Sequence, residues 1–214
     1  MYEATMVEQE QAVRRAPTKR IKETPLTEAD WVDAATDILV RDNVRGIKID
    51  ALCAKLGVTK GSFYHHFSGR QQLLGAILSK WRKRMTLNVI QNIARRGAAS
   101  RDRLRALIAL PGRSSSSQAG QVEQSIRDWS RRVKISSDAV QEVDEIRLNY
   151  FIQILTAEGL SPEQARLRAY IAYCIMMGDS ILLNSVKGMD HNKLADEVVA
   201  MLLPDGQQDK SKDK

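Results

Sequence analysis

The sequence predicts an all-α protein of about nine helices, in which three short N-terminal helices precede a larger helical body. Three observations predict it. From Trp31 to Leu202 apolar residues recur at spacings of three and four, the period of one helix face. No stretch alternates apolar and polar residues with period two, so strands are not expected. Segment ends carry helix punctuation, with Ser, Thr or Asp before a first turn and Gly or Pro after a last one.

The first helix starts at Thr27-Glu28-Ala29-Asp30, where Thr27 can accept from the free N–H groups of the first turn while Asp30 reaches back to the backbone of Thr27. Leu26 and Trp31 stand where a hydrophobic staple needs them, and Trp31, Ala34, Ala35, Ile38 and Leu39 carry the stripe on to about Arg41. Asn43 to Gly46 makes a turn. Ile49, Leu52, Cys53 and Leu56 form the apolar face of a second, short helix that Gly57 ends. Thr59 is expected to cap a third helix running to Phe67, with Val58 and Phe63 repeating the staple. Three helices in about forty residues, the last two joined by a turn through Gly57, have the layout of a helix-turn-helix.

Beyond Arg70, the residues Leu74, Ile77, Leu78, Trp81, Met85, Val89 and Ile93 mark a long fourth helix ending near Gly97. A fifth spans Arg101 to Leu110 and stops at Pro111-Gly112, before four serines that read as a loop. The sixth covers Gln118 to Val133. Ser137 or Asp138 is expected to cap the seventh, which closes at Gly159; Ser161-Pro162-Glu163 opens the eighth, and the ninth spans about His191 to Leu203 before Pro204. The expected division is a flexible basic arm at 1–24, a helix-turn-helix domain at 25–70, a helical body at 71–204 and a disordered tail at 205–214.

The third helix is where the chemistry concentrates. Phe63 and Phe67 lie one turn apart and face inward, leaving a small, polar outer face. On it Lys60, Ser62, Tyr64 and His65 can donate to phosphates or base edges, and Tyr64 can also pack on a thymine methyl. Gly61 weakens the first turn yet removes a side chain where a backbone could approach a phosphate. The alternative is an ordinary solvated face. A net charge of +7 favours an acidic partner without separating DNA, RNA and anionic membrane. Arg14, Arg15, Lys19, Arg20 and Lys22 leave the N-terminal arm either a solvated tail or a reach toward DNA.

The run Leu52-Cys53-Ala54-Lys55-Leu56-Gly57-Val58-Thr59-Lys60-Gly61-Ser62-Phe63-Tyr64-His65-His66-Phe67, followed by Arg70 and Leu73-Leu74, resembles the TetR family of bacterial transcriptional regulators. The resemblance covers roughly 27–75. It implies DNA contacts from Lys48, Thr59, Lys60, Gly61, Ser62, Tyr64 and His65, with Arg70 on a phosphate. Two positions depart from the family's pattern: Lys48 stands where Ser or Thr usually caps the second helix, and Arg70 where Lys is commoner. Glu123-Gln124-Ser125-Ile126-Arg127-Asp128-Trp129 and Val143-Asp144-Glu145-Ile146-Arg147-Leu148-Asn149-Tyr150 extend a weaker similarity into the body. There the resemblance implies a double-stranded DNA operator, release by a small apolar effector, and an effector pocket for which Trp129, Arg147, Tyr150, Tyr173 and Met177 are the candidates.

The eighth helix is apolar nearly all round, so it needs cover from its own domain and from a second subunit, unless it is a wholly buried monomeric core. With the ninth it would make a four-helix homodimer bundle, as in the resembled family, with Tyr170, Cys174, Ile181, Leu194, Val198 and Leu202 at the interface. Asp179, acidic in this apolar stretch, is expected to be hydrogen-bonded at that seam or at a helix end.

Other classes find little support. His65 and His66 are adjacent, His191 stands alone, and there is no glycine-rich phosphate loop, paired-cysteine motif or His-x-x-x-His pattern, so neither catalysis nor a metal or cofactor is expected. Cys53 and Cys174 read as buried thiols rather than a disulfide. The longest apolar run, Ala169 to Gly178, is about half a membrane span. Glu3, Glu8 and Glu10 with no apolar stretch do not make a signal peptide, so a cytoplasmic location is expected. A helical protein-interaction module, or a regulator that needs no ligand, is the remaining alternative.

Overall fold

The computed structural model describes residues 25–95, 99–112, 116–182, 186 and 188–203; the basic arm and the C-terminal tail expected above lie outside them. The described residues form nine helices and no strand: α1 (Glu28–Asp42), α2 (Ile49–Leu56), α3 (Lys60–His66), α4, α5 (Ser100–Ile108), α6 (Ser116–Ser130), α7 (Lys134–Ala157), α8 (Pro162–Leu182) and α9 (His191–Leu202). The fourth, α4, is compound. It begins as Arg70–Arg82, passes through a π-helical turn at Lys83–Leu87 and continues as Asn88–Arg95.

The helix starts follow from local chemistry, with instructive exceptions. Thr27 and Asp30 close the expected capping box, Asp30 Oδ2 accepting from the Thr27 amide at 2.8 Å. Gly57, at φ 71°, ends α2 in the left-handed conformation, and the Val58 amide bonds back to the Cys53 carbonyl at 3.0 Å. Thr59 occupies the N-cap position of α3 in extended geometry, but its hydroxyl makes no capping bond. Ser161 does cap α8, bonding the Gln164 amide at 3.3 Å. The seventh helix starts earlier than Ser137. Val133 is its extended N-cap, and Ser136 turns its hydroxyl back onto the Val133 carbonyl at 2.8 Å. The serine run also proves partly helical, since α6 begins at Ser116.

Two apolar clusters hold the fold. The first joins α1, α2 and α3 to the start of α4 and then runs on into the body through Trp81, Ile126, Trp129 and Val143. The second packs the end of α4 with α5, α7, α8 and α9 around Ile93, Leu104, Phe151, Ala172 and Val198. Small residues Ala165, Ala169 and Ala172, all fully buried, line the inner side of α8, whose contact with α7 is the most extensive in the molecule. No helix among the described residues is long and apolar enough to cross a membrane.

Candidate nucleic-acid face and body cavity

Aromatic packing fixes the outer face of α3. The Phe63 ring meets Trp31 of α1 edge-on at 5.3 Å and stacks on Phe67 at 5.6 Å. Both phenylalanines are buried, so Thr59, Lys60, Gly61, Tyr64 and His65 are turned outward and Ser62 is half-buried. Tyr64 leaves 56% of its surface exposed while its ring edge rests on Phe63 at 5.3 Å, an apolar side chain held out in solvent by a rigid base. Lys60 pairs with Asp50 of α2 at 2.7 Å, and that hydrogen-bonded partner raises its pKa. Lys48 is exposed at the N-cap of α2 with no capping bond.

Gly61 is not demanded by the chain's own packing. A Cβ there would meet only the Thr59 hydroxyl, at an ordinary 3.6 Å. Arg70, which the resemblance puts on a phosphate, spends part of its guanidinium inside the chain. It donates from Nε to the Ile47 carbonyl at 2.6 Å and from a terminal nitrogen to the Val44 carbonyl at 2.5 Å, bracing the turn between α1 and α2.

In the body, a cavity of about 280 Å³ lies between α4, the end of α5, α6, α7 and α8, beside the π-helical turn. Arg147, Tyr150 and Met177, all expected there, line it together with apolar residues such as Val89, Leu107, Phe151 and Met176. Trp129 and Tyr173 do not. Trp129 belongs to the first core cluster with Trp81 and Ile126, because α6 turns that face toward α1 and α4. The Tyr173 hydroxyl is spent on Asp144 at 2.6 Å.

A buried polar network forms one wall. Glu123 of α6 and Arg147 of α7 face each other in a two-pronged ion pair at 3.0 and 3.1 Å. Glu123 also accepts from Trp81 Nε1 at 2.9 Å and from Arg127 Nε at 2.8 Å. Arg147 donates onward to the Thr86 hydroxyl at 3.1 Å and the Met85 carbonyl at 3.3 Å, both in the π-helical turn. Burial alone would raise the Glu123 carboxyl, but Arg147, Arg127 and the Trp81 bond outweigh it and hold the group below the usual carboxylate range. Asp144 is lowered in the same way by Arg127 and Tyr173 against its burial. Tyr173 is pushed up to about 12, first by burial and then by its bond to Asp144. Thr86 and Glu123 are not among the residues expected from sequence. A buried Thr five positions after Trp81 falls outside helical spacing, and a Glu in an apolar surrounding signals itself only when its two arginines are seen beside it.

The outer surface of α8 carries an apolar stripe in which Leu167, Tyr170, Ile171 and Ile181 are about half exposed or more. Cys174, expected to be buried, is exposed on the same helix, while Cys53 is buried as expected. Two of the expected interface residues face inward instead. Val198 and Leu202 are 1% and 4% exposed within the chain's own second core, and Leu194 packs against that core; on α9 it is Met201 that points out. Asp179 is hydrogen-bonded, as expected, to His191 Nδ1 at 2.9 Å.

Comparison with known proteins agrees with this architecture. The family described as bacterial regulatory proteins, tetR family, matches residues 32–77. Over 61 residues, 28% of this chain, the sequence is 34% identical to each of two proteins of Pseudomonas putida, the HTH-type transcriptional regulator SrpR and the uncharacterized HTH-type transcriptional regulator TtgW. The matched segments span 29% and 46% of those proteins' lengths. Across the whole fold the chain is similar to the transcriptional regulator FadR from Bacillus subtilis, solved in complex with stearoyl-CoA, with a TM-score of 0.62 at 16% identity over 83% of this chain and 98% of that one. In its N-terminal helix-turn-helix, the chain is thus similar to the tetR family of bacterial regulatory proteins.

Proposed function

We propose that this protein is a cytoplasmic, DNA-binding transcriptional repressor that works as a homodimer and is released from its operator by a small effector. The observation that carries the DNA-binding part is the outer face of α3. Its side chains are positioned by the buried Trp31, Phe63 and Phe67, and Gly61 at its start has no internal steric reason to be glycine. In a major groove such a face puts Lys60 on the phosphates and Tyr64 and His65 at base edges, while Gly61 lets the helix start approach closely. Lys48, Thr59 and Ser62 are the remaining contacts of this reading. Arg70 supports the interface by holding the α1–α2 turn, and one terminal nitrogen beyond its two carbonyl bonds is the part left for a phosphate.

Two copies are needed for a near-palindromic operator, with recognition helices about 34 Å apart. The exposed stripe on α8 supports that pairing, since Leu167, Tyr170, Ile171, Cys174 and Ile181 stand three, four and seven residues apart along one side of the helix. The cavity supports the effector part. It adjoins the one irregular turn of α4, the helix that links the DNA-facing head to the body, and an occupant that favours a different setting of that turn shifts the separation of the two heads. That FadR is a solved complex with a ligand is consistent with such a body holding one.

The test is selection of duplexes from a random pool by the purified protein at physiological salt, beside Tyr64→Ala and Lys60→Ala. Enrichment of an inverted repeat, relaxed or lost in the variants, is the expected result. Salt-sensitive binding with no enriched sequence removes the repressor reading.

A further inference from the structure

We infer that the body cavity takes an uncharged, largely apolar small molecule that offers one hydrogen-bond-accepting oxygen to Tyr150; this rests on the effector reading above and specifies its chemistry.

The charged wall of the cavity is already complete. Arg147 uses its Nε on Thr86, one terminal nitrogen on Glu123, and the other on Glu123 and the Met85 carbonyl. Glu123 accepts two bonds on each oxygen, from Arg127, Arg147 and Trp81. An anionic headgroup entering here would compete with Glu123 for Arg147, and a cationic one with Arg147 for Glu123. Either would strand a buried charge. The other charged side chain on the lining, Arg84, is exposed, so water already solvates it.

The remaining wall is largely apolar; of its other polar side chains, Ser180 spends its hydroxyl on the Met177 carbonyl at 2.7 Å, which leaves Tyr150. Its side chain lines the cavity, yet the hydroxyl is buried and has no hydrogen-bond partner among the described residues. Burial raises its pKa against the opposing charge of Arg103, so the phenol keeps its proton and can act as a donor. A buried donor with no partner is the kind of group a ligand oxygen satisfies. At about 280 Å³ the space suits a molecule on the order of ten non-hydrogen atoms, each taking roughly a water's share of volume.

Calorimetric titration of the full chain with four probes of one chain length tests this: octan-1-ol, octanoate, octylammonium and 1-chlorooctane, each against wild type and Tyr150→Phe. Octan-1-ol is expected to bind at least about tenfold more tightly than either ion. Tyr150→Phe should cost it about fivefold while leaving 1-chlorooctane unchanged. An ion that binds as tightly as the alcohol overturns the inference, as does equal loss of alcohol and chloroalkane in the variant, or no binding by any probe. Thermal melting of Tyr150→Phe alongside confirms that the variant is folded. Operator affinity measured with each probe separates the two levels. Selective alcohol binding without operator release leaves this inference standing and removes the effector reading; an ion that binds and releases DNA does the reverse.

Discussion

Glu123 and Arg147 form a two-pronged ion pair, 3.0 and 3.1 Å long, with 6% and 9% of their side chains exposed. Taking two charges out of water is expensive, so such a pair adds little net stability but is costly to break from one side. Here the pair joins α6 to α7, and its outer bonds reach α4 through Trp81, Met85 and Thr86.

Glu123→Ala or Arg147→Ala alone should therefore lose about 3–5 kcal/mol, because each leaves the other charge buried and uncompensated. Glu123→Ala combined with Arg147→Ala should lose less than the sum of the single changes by about 2 kcal/mol or more. Urea unfolding of the four proteins reads this cycle, and strict additivity would refute the coupling.

Tyr173 carries an alkaline limb of stability. Its ordinary pKa of 10.0 rises to about 12 in the fold, so the neutral phenol is the form that folding favours. The sign follows: this contribution is complete below pH 10 and disappears as pH rises from 10 to about 12, in total roughly 2–3 kcal/mol. Tyr173→Phe should flatten that limb relative to wild type in unfolding measurements across the range. An unchanged limb would mean that Tyr173 is not held buried beside Asp144 in solution.

Gly61→Ala should separate stability from binding. A Cβ there meets nothing closer than 3.6 Å, so the helix gains propensity and the protein becomes more stable by up to about 1 kcal/mol. Operator affinity should fall in the proposed arrangement, since the methyl would stand between the helix start and the groove. A variant that is more stable and binds equally well would show that the glycine does not serve close approach to DNA.

Tyr170→Glu and Val198→Glu distinguish the two sides of the C-terminal helices. Tyr170 is 61% exposed, so its change should leave the fold intact and yield a monomer in sedimentation experiments. Val198 is 1% exposed, and its change buries a charge in the chain's own core, so the melting transition should collapse instead. A Tyr170→Glu protein that sediments like wild type would exclude this face from the interface.

The α3 face is legible in the sequence because most of what positions it is local, and its one distant support, Trp31, shows itself in the staple of α1. The turn at Gly57 and the one-turn spacing of Phe63 and Phe67 lie within eleven residues of one another. The α9 stripe is legible as a stripe but not as an orientation. Val198 and Leu202 are apolar at helical spacing whether they meet the chain's own α5 and α8 or a second copy, and only tertiary packing decides. Trp129 misses the cavity for the same reason. Aromatic character marks burial without saying against what. Arg70 shows a further limit, since a cation at the start of a helix looks the same in sequence whether it meets a phosphate or two carbonyls 23 and 26 residues back.

The π-helical turn at Lys83–Leu87 is, in effect, one extra residue threaded into a helix, and a single residue turns a helix face by about 100°. Trp81 and Thr86 are both buried although they stand five apart, one meeting Glu123 and the other Arg147. A regular helix could not present both to the same pair. The irregularity thus works as a phase shifter, letting one rod be in register with the head at its start and with the body at its end. Removing one residue anywhere in that turn would restore a straight rod and put one of the two cores out of step.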